Sequence, residues 1–183
     1  TGGDTHLQRV TETVAIPVFQ FGIFSDVDLS FFAGPNFNFG GRVHTNGNLF
    51  LSEGGGATLT LGDKVTAVKE IVRKRMQNNA LITTAPSHDG TVSMTTGGGA
   101  FRSLLATEGS VVDGVGSALN DPAWTNLSLS TYNANIRNGR TGARTLNLPY
   151  INAGGSNVDL TRRPPPNEDT ANAILFNERL FTK

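Results

Sequence analysis

The stretch Gly40–Glu53, GGRVHTNGNLFLSE, continues into ATLTLGDKVTAVKEIV as a train of short apolar/polar alternations. Gly or Asn interrupts it every few residues. Runs of about five residues bounded by such breakers read as short strands joined by tight corners. A chain with this rhythm can stack its strands, and the stretch holds no obvious chemistry.

Composition agrees. Among 183 residues there are 22 Gly, 21 Thr and 17 Asn. Gly and Asn tolerate positive φ, and Thr suits a half-buried pleated surface. Apolar residues make up 37%, enough for a core, so a globally disordered chain is not expected. The length fits one domain, or two small ones. We divide it into a β-rich exported domain with an N-terminal arm (1–160) and a Pro-rich connector with a C-terminal segment (161–183).

Charge is balanced, with 15 basic and 15 acidic residues, which lowers the expectation of a nucleic-acid partner. The absence of cysteine excludes disulfides, Cys-ligated zinc and thiol catalysis. No run of about 18 apolar residues marks a membrane span. The chain opens on Thr1 rather than Met, and we expect it to be trimmed from a longer precursor, with room for an anchor outside these residues.

Residues 1–14 read as a polar arm. AIPVFQFGIF (Ala15–Phe24) is strand-like, with Pro17 at its entry. Gly34-Pro35-Asn36 is a turn signal, and Phe37 and Phe39 share one face. Leu49 is in phase with Leu51, Leu59 with Leu61, and Val65 with Ala67. This pattern fits a β-sandwich, a barrel or a parallel β-solenoid. Scarce two-residue hairpin loops favour the solenoid, whereas His44–Asn48 (HTNGN) is a hairpin candidate that argues the other way. The fold class expected is therefore mainly β, β-solenoid or β-helix-like with a little helix, with a β-sandwich as the alternative.

Lys69–Gln77 (KEIVRKRMQ) is the most basic run. Ile71-Val72 continues the strand rhythm, and Arg73, Lys74 and Arg75 read as a solvated edge that discourages sheet-to-sheet association. Ala85–Gly90 and Thr95–Gly99 read as loops, and Phe101–Leu105 has helical spacing. Asn120-Asp121-Pro122 is a turn before Trp124, and Thr145–Leu148 is strand-like. Thr161–Thr170 is an extended connector stiffened by three prolines, and Ala171–Phe181 fits a closing helix.

Sites are few. His6, His44 and His88 lack a second His at metal-ligand spacing, so no metal site and no cofactor is expected. Asp26 and Asp28 would share a face if their segment is a strand, where they are solvated carboxylates or, less simply, an acid–base or calcium pair. Gly54–Gly56 and Gly97–Gly99 lack phosphate-loop spacing and read as corners. Asn36, Asn38, Asn46 and Asn48 suit equivalent corners of successive coils, where stacked amides bond to one another and to backbone carbonyls. Alternatively they line a sugar groove with Phe32, Trp124 and Tyr132 as stacking platforms. Asp26, Asp28 and Arg42 are then the first suspects for polysaccharide binding or cleavage.

The stretch FQFGIFSDVDLSFFAGPNFNFGGRVHTNGNLFL resembles PilX-like, type IV pilus-associated bacterial envelope proteins and their uncharacterised relatives. WTNLSLSTYNANI, TLNLPYI and the Arg162-Arg163-Pro164-Pro165 connector are similar to the later segments of proteins in that group, and the likeness spans about Val18–Pro166. The resemblance implies export, a hydrophobic helix upstream, a β-helical extracellular body and no catalytic residues. It leads to a non-enzymatic extracellular structural or adhesive component, pairing with itself or with pilin-like partners. A carbohydrate-binding or carbohydrate-cleaving β-helix protein, or a self-assembling filament subunit, is the alternative.

Overall fold

The computed structural model describes residues 20–147, apart from Ala33 and Ala118. Expectations for the N-terminal arm, Pro17, the Pro-rich connector, the closing helix and the boundary at residue 160 lie outside the described residues. Within them the chain is mainly β, with short helical turns.

Three sheets form, and from β1 to β9 consecutive strands along the chain fall in different sheets. The first round is β1 (Phe21–Ser25), β2 (Leu29–Phe31) and β3 (Phe37–Phe39). The second is β4 (Arg42–Thr45), β5 (Leu49–Leu51) and β6 (Glu53–Leu61). The third is β7 (Val65–Ala67), β8 (Ile71–Val72) and β9 (Asp89–Gly97). Strand β10 (Ala100–Ser103) turns back on β9, and β11 (Ile136–Arg137) rejoins the first sheet. The sheet orders are β1-β4-β7-β11, β2-β5-β8 and β10-β9-β6-β3. Every pairing is parallel except β9 with β10.

Registers put like residues over like. Ile23, Val43 and Val65 align, as do Leu29, Leu49 and Ile71, then Phe37, Leu59 and Val92. The chain returns to the same position after 20 to 22 residues in the first rounds, but after 33 between Leu59 and Val92. The longer return carries an inserted segment, residues 73–88, between β8 and β9.

Inward residues of the second and third rounds form one core with Leu104, Trp124, Leu127, Tyr132 and Ile136. The helical turns Trp124–Asn126 and Leu127–Thr131 contribute Trp124 and Leu127 to that core. No helix among the described residues is long and apolar enough to cross a membrane.

Several local expectations are corrected. His44–Asn48 is not a hairpin, because β4 and β5 lie in different sheets and pair with strands a round away. Gly54–Gly56 lies inside β6, where the register shifts between Glu53 and Thr58. A Cβ on Gly54 would sit 2.7 Å from the Gly34 carbonyl oxygen, so close strand approach uses that glycine. Gly97–Gly99 all have positive φ and turn β9 into β10, so Phe101–Ser103 is strand rather than helix. Thr145–Asn147 joins no ladder.

Candidate functional site

The corner between the first and second sheets repeats in each round, and it is where Asp26 and Asp28 lie. They occupy a bend rather than a strand, with Val27 between them 71% exposed. Asp28 Oδ1 accepts the Asn48 backbone N–H at 2.7 Å and its Nδ2–H at 3.0 Å. One round on, Asn48 Oδ1 accepts the Glu70 N–H at 3.1 Å. Each corner side chain thus caps the backbone of the next round, satisfying donors that a bend would leave unpaired.

Glu70 ends this column. Its carboxylate accepts from Ser110 Oγ at 2.5 Å, Arg140 Nη1 at 2.8 Å and Asn138 Nδ2 at 3.3 Å. Arg140 also reaches Asn120 and the Ser110 carbonyl. Trp124 Nε1–H donates to Asn138 Oδ1 at 2.9 Å. Gly47 sits in the column because a Cβ there would lie 2.5 Å from Asp28 Oδ1 and 2.6 Å from the Val27 carbonyl carbon.

Asn46 runs parallel to the column. Its Nδ2 donates to Asp26 Oδ1 at 2.7 Å and to the Leu146 carbonyl at 2.8 Å, and its Oδ1 accepts the Leu146 N–H at 3.0 Å. A carboxylate only accepts, so the amide orientation is fixed and Oδ1 faces His44 Nε2 at 3.0 Å. His44 therefore carries its proton on Nε2, and Nδ1 accepts from Thr66 Oγ1 at 2.7 Å. The ring packs against Phe21 and Phe24, whose centroids lie 5.5 Å from it and 6.1 Å from each other. Burial lowers the His44 pKa, partly offset by the Asn46 bond.

The remaining glycan suspects do not gather with these aspartates. Arg42 starts β4 and lies 3.6 Å from Asp63 Oδ2. A strand's length, roughly 10 Å, separates it from the corner. It lines a cleft of about 190 Å³ with Lys64, Arg144 and the edge of His44. Trp124 and Tyr132 cannot serve as stacking platforms, because they are 1% and 0% exposed and their rings belong to the core. Tyr132 Oη donates to the Ser103 carbonyl at 3.0 Å and accepts from Arg102 at 2.5 Å. Burial pushes its hydroxyl up to about 12 despite the nearby guanidinium. Arg102 forks onto Glu108 at 2.6 and 2.8 Å. Burial alone would raise the Glu108 carboxyl, yet the Arg102 bond, the Leu105 N–H and the Arg102 charge hold it below its usual value.

The basic run also differs from expectation. Lys74 is exposed, but Arg73 is buried and donates to the carbonyls of Leu51 at 3.2 Å, Gly90 at 2.6 Å and Leu104 at 3.2 Å. Its pKa falls through burial, countered by the charge of Asp89. Arg75 pairs with Asp113 at 2.8 Å.

Of the three aromatic residues suggested as stacking platforms, only Phe32 is open, at 58% exposure. It borders the larger cleft, about 330 Å³, with Phe50 and residues Met76–Asn78 of the insertion. The sequence pattern did not single out Phe50, Gln77 or Asn78. A run breaking the 22-residue return was the available signal. Among the described residues no three His, Asp or Glu side chains gather as a metal site would need.

No family model matches this chain, and no curated protein or solved structure does so at a significant level.

Proposed function

We propose that the described residues form a short parallel β-solenoid that acts as a non-enzymatic, exported structural component, assembling through the open edge of its first round. The observation that carries this reading is the asymmetry of the stack. In the second round Val43, Leu49, Leu51, Leu59 and Leu61 are completely or almost completely buried. Directly over them lie Ile23, Leu29, Phe31, Phe37 and Phe39. Ile23, Leu29 and Phe39 are only partly buried, and Phe37 is 38% exposed. Strands β1, β2 and β3 each stand at a sheet edge, with no pairing on their outer side among the described residues. Such an end offers unpaired backbone groups and apolar side chains together, which suits pairing with another β edge.

The corner chemistry supports the same reading. Asp26 and Asp28, the carboxylates first suspected of catalysis, each hold an asparagine of the next round. The sequence resemblance to pilus-associated envelope proteins is what suggests a bacterial cell-surface location and pilin-like partners. A filament subunit is the form this assembly takes if copies stack end to end.

Phe37→Lys tests the proposal, since a lysine at a sheet edge opposes pairing. The variant should keep its circular dichroism spectrum but lose the concentration-dependent self-association of the parent in analytical ultracentrifugation. A parent that stays monomeric throughout the concentration series, both alone and with a purified pilin-type partner, sinks the reading.

A further inference from the structure

The inserted segment 73–88 builds a cleft on the outside of the second sheet. Along that face Ser30, Phe50 and Val72 align across β2, β5 and β8. Val72 is sealed by Val111, with which Phe50 also packs. Phe50, itself nearly buried, lines the cleft. Phe32 also lines it, its ring 6.3 Å from His88 and edge-on to it. Ser52, Met76, Gln77 and Asn78 complete the lining.

This loop is held in place. Ser30 Oγ donates to Gln77 Oε1 at 3.0 Å, which turns Gln77 Nε2 to the other side of its amide. Asn78 Oδ1 accepts the Ala80 N–H at 3.0 Å, which likewise leaves Asn78 Nδ2 as a donor with no partner among the described residues. The Met76 and Ala80 backbones bond at 2.9 Å, and Arg75 binds the Asn79 carbonyl at 2.9 Å and Asp113 at 2.8 Å. Two amide donors are therefore presented by a braced turn, beside two phenyl rings, with no formal charge in the lining.

We infer that this cleft binds a single neutral hexopyranose unit of a glycan. One face of a pyranose ring carries C–H groups of slight positive polarity, which suit the electron-rich face of a phenyl ring. Its rim carries hydroxyls that accept from amide N–H₂ groups and donate to serine oxygens such as Ser52 Oγ. About 330 Å³ is at the small end of ligand pockets, roughly 300–1,000 Å³, in keeping with one ring rather than a chain. An uncharged lining selects against uronic acids, which would lose hydration without gaining a cation. The site shares β2 with the open first-round edge through Ser30 but lies on the outer face of that sheet, so ligand binding and self-association are read by different measurements.

The test uses the full chain and saturation-transfer NMR with methyl glycosides of glucose, galactose, mannose and N-acetylglucosamine, with methyl glucuronide and N-acetylphenylalaninamide as comparators. At least one neutral glycoside should bind in the millimolar range, roughly 1–10 mM. Phe32→Ala, at an exposed ring, and Asn78→Ala should each weaken that binding about fivefold or more with the fold unchanged. The inference is overturned if no neutral glycoside binds, if both variants bind as the parent does, or if the uronide or the phenylalanine amide binds more tightly.

Discussion

At the residue scale, His44 shows how a polar side chain is fitted into a nearly dry place. Both ring nitrogens are bonded in the neutral form, Nε2 to Asn46 and Nδ1 to Thr66. Phe24 stacks on the ring, Phe21 packs beside it, and the side chain is 2% exposed. Its pKa in the fold lies below the ordinary 6.5. The unfolded chain therefore takes up a proton more readily, and stability is complete above pH 6.5 and declines as pH falls below it toward the folded value. The urea midpoint should drop between pH 7 and pH 5.5, and His44→Gln should flatten that slope. Equal slopes in parent and variant would refute a buried neutral histidine. The sequence placed His44 between Val43 and Thr45 without telling its role, because the partners are contributed from 22 residues away and from the next corner.

At the scale of an element, the recurring device is the corner, and its rules were partly legible. The expectation for the asparagines is met only in part. Asn46 reaches a backbone carbonyl, whereas Asn48 and Asn36 instead accept backbone N–H groups, the latter from Thr58 at 2.8 Å. Asn46 and Asn48 share one corner and bond to Asp26 and Asp28 rather than to another asparagine. Asp28 and Glu70 taking the same column as Asn48 was not legible, since a carboxylate and an amide look alike only once both act as acceptors. The Asn-Gly pair that reads as a hairpin is used otherwise. Gly47 is there for space against the bend of the preceding round rather than to fold β4 back onto β5. Gly47→Ala should cost roughly 1–3 kcal/mol, because the added methyl must displace backbone at Val27–Asp28. Gly40→Ala, where a Cβ meets nothing within 4 Å, should cost well under 1 kcal/mol. Chemical denaturation of the pair checks this, and equal losses would mean that the corner is not crowded.

For the whole molecule, the alternation of Leu49/Leu51, Leu59/Leu61 and Val65/Ala67 was legible because each pair faces one common core. Arg73 was misread as surface because a charged run is ordinarily solvated, and only the fold brings three carbonyls to its guanidinium. The helical turns at Trp124–Thr131 were hidden for a related reason: two anchors, Trp124 and Leu127, hold a segment too short to show periodicity. The same contacts set a gradient of stability. The second round is covered on both sides, by the first round's inward residues and by Val65, Ala67, Ile71, Val92 and Met94. Each second-round strand is also hydrogen-bonded to two neighbours, whereas among the described residues β1, β2 and β3 have one apiece. Local opening is easiest where buried contacts and ladder bonds are fewest. Amide hydrogen exchange should therefore be slowest at Val43, Leu49, Leu51, Leu59 and Leu61, and faster across Phe21–Phe39. In a self-associated sample the protection of β1–β3 should rise toward that of the second round, whereas Phe37→Lys should keep the gradient. Uniform protection in a monomeric sample would mean that the first round is as well covered as the second, and the open-edge account of assembly would lose its basis.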